Sequence, residues 1–434
     1  MAVILIIILS LWALNRWKKG DKVSFYLIIQ FFALKTYNLA FLLTSALRPD
    51  DMALIMVLIT FFVNSTRGNL SKPPLQSVYL FIAFIALSSL VSLSVYDIPL
   101  LQIFKGARNF LLVLALPDIM TIRKDALKDL LHRIFLFNMV FGVIFIFQTF
   151  TQISILRDMD EGVVMTGFLG LKRFYSFPPL IPFCCLYSLY LFPKNRKFKK
   201  LCLAISFLTL LIIQSRGMML YTTLLIVVAS FLFKSSPMQK TFVYMVIAMA
   251  FIIIVNEIFS GETGGKTMND MNLIFSSNGA VMERPEGDAT LAYRLWLVNN
   301  SILGLNSGTI FQQIFGLGLF VVLPLSYGSS LNILGAARIN RDMQVILTNP
   351  DISYATLLNL LGYVGFVLYM CIFIEAILYF KRKMKDSDFA KIGMLYILYL
   401  LAVGMNSADI STSTCFIVPF ILISISNKDT LKLN

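Results

Sequence analysis

Apolar residues run along this chain in long unbroken blocks. Stretches at 2–15, 23–47, 52–64, 76–95, 98–117, 134–155, 178–193, 201–214, 218–233, 241–256, 352–380, 392–405 and 410–426 are apolar almost throughout, with short charged or polar breaks between them. Runs of this kind predict helices that cross a bilayer, where about 20 residues span the hydrocarbon. None shows the period-2 alternation of a membrane barrel, and a helix is then the remaining way to satisfy the backbone in lipid. The pattern predicts an all-α polytopic membrane protein of about 12–13 transmembrane helices, with residues 1–434 forming a single integral membrane domain. Met1 to Leu14 resembles a signal-peptide core but lacks a basic leader and a small-residue cleavage site, and Arg16, Lys18 and Lys19 follow it, so it reads as a span.

One interval breaks the pattern. Ser260 to Asp351 is long and polar and reads as one large loop, residues 259–351, with a smaller loop at 156–177. The densest part of the large loop runs from Asp288 to Phe320, where Arg294 and Trp296 precede a Gly/Asn/Ser turn and a glycine-punctuated apolar run. Leu291, Leu295, Val298 and Ile302 form a helical stripe that predicts a helix laid on the membrane domain, with Arg294 beside the stripe.

Composition fixes the class and charge fixes the sides. Hydrophobic residues make up 58% and charged residues 14% of the chain, far from the composition of a soluble domain. A net charge of +14 would suggest nucleic acid in a soluble protein, yet here topology accounts for it and no nucleic-acid partner is expected. Placing the segment after Trp17 in the cytoplasm assigns 24 of the 37 Lys and Arg to cytoplasmic segments, 10 to the other side and three to spans. By the positive-inside rule the large loop then lies outside the cytoplasm. Thirteen spans put the termini on opposite sides, and twelve, without the first run, put both in the cytoplasm. No internal repeat or inverted similarity between halves is seen, which weighs against repeat-built transporter folds. Cys184, Cys185, Cys202, Cys371 and Cys415 all fall in predicted spans without CxxC spacing, so neither a disulfide framework nor a zinc site is indicated.

Several residues stand out chemically. Lys105 and Arg108 share one helix face in the fifth run, and Lys35 sits inside the second; Glu375 is the one acid within a run, near its cytoplasmic end. Three intramembrane cations without matching acids suggest a bound anion, the alternative being a broken helix whose cations reach water or phospholipid. Ser215, Arg216 and Gly217 turn a hairpin at the outer interface, where an arginine either binds a ligand or reaches the headgroups. Arg173 lies among aromatics just before the prolines that open the seventh run. Asp158 and Asp160 form a DxD pair in an acidic loop, where solvated charge is the simpler reading. GETGGKT, at Gly261 to Thr267, lacks the spacing and the strand context of a phosphate-binding loop. His132, the one histidine, falls in a cytoplasmic segment, so no histidine serves as base or metal ligand on the outer face.

At these arginines the chain resembles the O-antigen polymerase and O-antigen ligase superfamily of bacterial inner-membrane glycosyltransferases, whose fold is of the GT-C type. The similar pieces are SRG at Ser215 to Gly217, RFYSFPPL at Arg173 to Leu180, YRLW at Tyr293 to Trp296, FGLGLF at Phe315 to Phe320, and NPDISYATLLNLLGYVGFVLY at Asn349 to Tyr369, within roughly residues 98–426. The resemblance implies a GT-C-like fold with a periplasmic loop, an undecaprenyl-diphosphate-linked oligosaccharide as donor, and arginines on the diphosphate. Arginine suits that task independently, since its guanidinium binds phosphate in a bidentate fork. Ligases of the family carry a histidine where this chain has Asp351, so the resemblance favours a polymerase.

The reading is therefore an enzyme that joins oligosaccharide repeat units by inverting transfer in the bacterial inner membrane. Arg173, Arg216, Arg294, Arg338, Arg341, Lys105 and Arg108 are the expected diphosphate ligands, with Asp351 and Arg294 as catalytic residues. No metal or cofactor is expected. Membrane lipid is the surrounding partner, with a chain-length regulator and a flippase of the same pathway as further partners. The rival readings are an O-antigen ligase and a non-enzymatic flippase or transporter of lipid-linked oligosaccharide.

Overall fold

A computed structural model describes residues 2–33, 49–71, 74–153, 155–156, 174, 178–192, 196–213, 216–233, 239–248, 290–320, 322–324, 338–339, 344–346, 352–407, 409–411 and 413–430. Helix dominates. The helices are α1 (Ala2–Lys18), α2 (Lys22–Ala33), α3 (Pro49–Thr66), α4 (Ser77–Ser94), α5 (Leu100–Leu111), α6 (Leu116–Ile119), α7 (Lys124–Thr151), α8 (Ile181–Leu186), α9 (Arg196–Ile213), α10 (Arg216–Leu232), α11 (Thr290–Ser307), α12 (Ile310–Phe315), α13 (Ser353–Lys383), α14 (Asp388–Val403) and α15 (Ile417–Thr430). Residues 239–248 are also helical. Within the large loop, β1 (Val322–Pro324), β2 (Arg338–Ile339) and β3 (Gln344–Ile346) form a small antiparallel sheet in the order β1-β3-β2, which hydropathy did not predict.

Among the described residues, five helical stretches are long and apolar enough to cross a membrane: Pro49–Thr66, Ser77–Ser94, Leu100–Ile119, Lys124–Thr151 and Ser353–Lys383. Their outward faces carry apolar side chains at helical spacing. On α7 these are Val140, Val143, Phe147 and Phe150, while Phe141, Phe145, Gln148 and Thr149 turn inward. Continuous exposed apolar surface of this kind belongs in lipid, because water would penalise it heavily.

Two elements depart from the hydropathy pattern. Helix α7 begins ten residues before the run predicted at 134, because Leu127, Leu130, Leu131 and Ile134 give the charged segment KDALKDLLHR a buried stripe. Helix α13 is broken at Gly362, whose φ of 62° and ψ of −168° suit glycine alone. Around that break α13 forms the centre of the bundle and packs on α4, α11, α12, α14 and α15.

Buried polar contacts pin the bundle at both ends. At one end, Asp118 accepts from Lys22 Nζ at 2.5 Å, Tyr26 Oη at 2.8 Å, Asn64 Nδ2 at 2.6 Å and Trp17 Nε1 at 3.4 Å, tying α6 to α1, α2 and α3. Glu375 on α13 accepts from the backbone N–H of Ser77 at 3.0 Å and from its hydroxyl at 2.7 Å. The carboxylate thus caps α4 where orphan N–H groups and the helix dipole favour negative charge. Lys428 donates to the carbonyl of Ile122. These segments meet at a common end of the bundle.

At the opposite end the glycine-punctuated run is drawn into the bundle. The backbone N–H of Leu317 donates to the carbonyl of Asn359 at 2.7 Å, one turn before the Gly362 break. Tyr96 Oη donates to the carbonyl of Gly316 at 3.0 Å, and the N–H of Leu319 to Ser92 Oγ at 3.0 Å. Phe315 stacks on Phe84, and Leu317, Leu319 and Phe320 are buried. Irregular backbone is tolerated at this depth because neighbouring helices satisfy its polar groups.

Candidate functional site

Helix α11 follows from its own pattern, though on a face shifted from the predicted one. Leu297, Ser301 and Leu305 form a buried stripe, with Ala292 buried separately against Leu295 and Trp296, whereas Leu295, Val298 and Ile302 are half-buried. Arg294 stands three residues before Leu297 and so belongs to the inward stripe itself. Leu297 packs with Ile352 and Ala355 at the start of α13, alongside Tyr293, Trp296 and Tyr354. The rings of Tyr293 and Trp296 stack with centroids 5.6 Å apart.

Arg294 Nη1 donates to Asn406 Oδ1 at 2.8 Å. Asn406 follows the end of α14, and its Nδ2 donates to Tyr221 Oη on α10 at 2.9 Å. Gly217, in the first turn of α10, lies so close that a Cβ there would stand 2.7 Å from Asn406 Nδ2. The same corner is closed by Ser353, whose N–H donates to Gly404 at 3.0 Å and whose hydroxyl donates to Ser407 at 2.6 Å. Tyr354 Oη donates to the Leu401 carbonyl at 2.6 Å. Helices α10 and α11 thus meet at Asn406, and α13 bonds the residues on either side of it. An amide suits the position, since it accepts from a guanidinium and donates to a phenol at once.

The predicted site residues are not all brought together. Arg294 is in the cluster, and Arg216 opens α10 one residue before Gly217, so the backbone brings the two segments to one place. Arg338 opens β2 opposite Ile346 of β3. Arg173, Arg341 and Asp351 lie outside the described residues, as do Lys35 and the DxD pair; Ile352, which follows Asp351, is buried. Lys105 is half-buried on α5 and has no carboxylate partner among the described residues.

Arg108 requires a correction. Its side chain is 7% exposed and its guanidinium forms ion pairs with Asp51 and, at 3.7 Å, with Asp50. The expectation of an intramembrane cation lacking an acid therefore fails for Arg108. Asp50 and Asp51 fall between two apolar runs in the sequence; in the structure they open α3, and α3 packs on α5. A buried guanidinium that already holds a carboxylate needs no anionic ligand to offset its charge.

Asn406 is the member that sequence reasoning passed over. GMNSAD reads as a helix stop after an apolar run, and nothing local distinguishes such an asparagine from an ordinary terminator. Among the described residues no cluster of His, Cys, Asp or Glu could hold a metal ion. His132 instead lies 3.2 Å from Tyr187 Oη through Nδ1 and packs among Phe135, Tyr187 and Phe192.

Fold and surface together define an α-helical membrane protein with a polar corner at one end of its bundle. No protein-family model matches the chain, and no curated protein matches it.

Proposed function

We propose that the chain is a glycosyltransferase of the bacterial inner membrane, an O-antigen or related surface-polysaccharide polymerase with a GT-C-like architecture. It acts on undecaprenyl-diphosphate-linked repeat units at the periplasmic face. The observation that carries this reading is the Arg294–Asn406 hydrogen bond, which fixes a guanidinium of the large loop beside the first turn of α10, where Arg216 stands. Two arginine-bearing segments brought together at a membrane surface suit the diphosphate of a lipid-linked sugar.

In the proposed reaction an acceptor hydroxyl attacks the anomeric carbon from the face opposite the leaving group. The new glycosidic C–O bond forms as the bond to the diphosphate breaks, and the diphosphate leaves with the electron pair. Arg294, Arg216 and Arg173 offset the charge that develops on it, with Arg338 or Arg341 assisting, and this electrostatic stabilisation is the main catalytic term. The acceptor proton passes to a carboxylate, for which Asp351 is the candidate. Arg108 is already held by Asp51 and is left out of the pocket. Lys105 retains its candidacy as a diphosphate ligand.

The test is Arg294→Lys and Arg216→Lys, each in a cell whose polymer depends on this chain. Lysine keeps the charge and loses the fork, so polymer should vanish at unchanged protein level. Polymer of normal length and amount from either variant refutes the shared diphosphate pocket. Accumulated single repeat units would mark a polymerase, unattached polymer would mark a ligase, and failure to deliver lipid-linked units to the outer face would mark a transporter.

A further inference from the structure

The basic end of the bundle contains a second polar feature, remote from Asn406. Helices α1 and α3 end in matching turns. After α1, Gly20 takes a φ of 86°, its N–H donates to the carbonyl of Trp17 at 2.9 Å, and Asp21 N–H donates to Arg16 at 2.9 Å. After α3, Gly68 takes a φ of 66°, its N–H donates to Ser65 at 3.1 Å, and Asn69 N–H donates to Asn64 at 2.9 Å. Both turns satisfy their own terminal carbonyls in the manner of a Schellman cap. The basic residues beside them, Lys18 and Arg67, are therefore not needed as helix caps.

Lys18 and Arg67 instead line a common cavity of about 420 Å³ with Trp17, Lys22, Asn69 and Thr121. The charge there is unbalanced. Lys22 donates to Asp118 at 2.5 Å and to Thr121 Oγ1 at 2.6 Å, so one of the three cations is matched. The Asp118 side chain is only 2% exposed and lies beneath the cavity, already accepting from four donors. Arg16 is paired with Asp21. Lys18 and Arg67 have no carboxylate partner among the described residues. Two unmatched cations, a lysine held in place from below, and neutral hydroxyl and amide groups make a concave, polar, positive site.

We propose that this cavity binds a phosphate group. The ligand chemistry is a phosphate mono- or diester whose oxygens take the Arg67 fork and the Lys18 and Lys22 ammoniums. The group could come from an anionic phospholipid headgroup or from a soluble phosphate compound, and the cavity is large enough for either with its substituent. Asp118 acts as a positioning residue that holds Lys22 at the cavity floor. The site is independent of the polymerase reading.

The full chain purified in detergent would be titrated with inorganic phosphate and pyrophosphate against sodium chloride at matched ionic strength, following thermal unfolding. In parallel, nanodiscs of phosphatidylglycerol or phosphatidylcholine would be analysed by native mass spectrometry for retained lipid. Arg67→Gln and Lys18→Gln remove exposed side chains and leave the fold intact, and Lys197→Gln, exposed on α9, is the control. Wild type and the control should be stabilised by phosphate or should retain phosphatidylglycerol, with each cavity variant weakened about tenfold. A response to free phosphate assigns a soluble ligand, and retention of phosphatidylglycerol alone assigns a headgroup. No response in either arm overturns the site, and so does an equal loss in Lys197→Gln.

Discussion

Gly316 and Gly362 meet backbone to backbone: a Cβ added to Gly362 would stand 2.5 Å from the Gly316 nitrogen, and one added to Gly316 would stand 2.7 Å from the Gly362 nitrogen. Both have positive φ, 76° and 62°. This contact anchors the FGLGLF run of the large loop in the break of α13, next to the Leu317 to Asn359 hydrogen bond. Alanine at either position meets main chain that cannot rotate away, in a conformation that itself costs on the order of 1–3 kcal/mol. Gly316→Ala and Gly362→Ala should each sharply lower the yield and melting temperature of purified protein. Gly68→Ala, with positive φ but open space around it, isolates the conformational part and should cost only about 1 kcal/mol. Equal melting temperatures for all three would show that the backbone contact does not matter.

Asn406 is expected to matter for activity more than for folding. Asn406→Ala removes the Arg294 and Tyr221 hydrogen bonds from a half-buried position, and a misplaced guanidinium can cost about 100-fold in rate. Asn406→Asp goes further, since a carboxylate would hold Arg294 against an incoming diphosphate. Polymer output normalised to protein level should fall in both variants, more in the aspartate. Normal output from Asn406→Asp would remove Arg294 from the anion site.

Asp118 and Lys22 form a pair whose removal one residue at a time should be costly. Asp118→Asn leaves the Lys22 ammonium without its carboxylate in a part-buried place, a loss of roughly 3 kcal/mol. Lys22→Met in the same chain should recover much of that loss. Additive melting-temperature shifts in the double variant would mean that the two residues are not coupled.

The same logic separates structure from substrate binding at Arg108. Arg108→Gln strands Asp50 and Asp51 at the start of α3 and should destabilise by on the order of 3 kcal/mol. Adding Asp51→Asn should restore part of the melting temperature. If Arg108→Gln leaves stability unchanged and abolishes polymer, Arg108 is a substrate ligand after all.

Orientation has its own test. A reporter active only in the cytoplasm, fused near Asn278, should stay silent, because 24 of 37 basic residues fall on the other side of the bilayer under the assigned topology. Signal from that fusion would invert the protein and dismantle the periplasmic mechanism.

The sequence by itself determined the helical character and the membrane class, because hydropathy is a property of neighbours along the chain. Arg294 was legible for the same reason: an arginine beside a helical stripe in the one polar interval stands out locally. Tertiary structure alone decided which polar groups meet. Asp51 and Arg108 are 57 residues apart, and Glu375 and Ser77 are 298 apart, so neither pairing is visible along the chain. The shift of the α11 stripe to Leu297, Ser301 and Leu305 was likewise decided by the neighbours that α11 met on α13. The polar corner at Asn406 exists only because α10 and α11 reach one amide while α13 ties down the chain beside it, and a buried donor or acceptor is stable only where such partners converge.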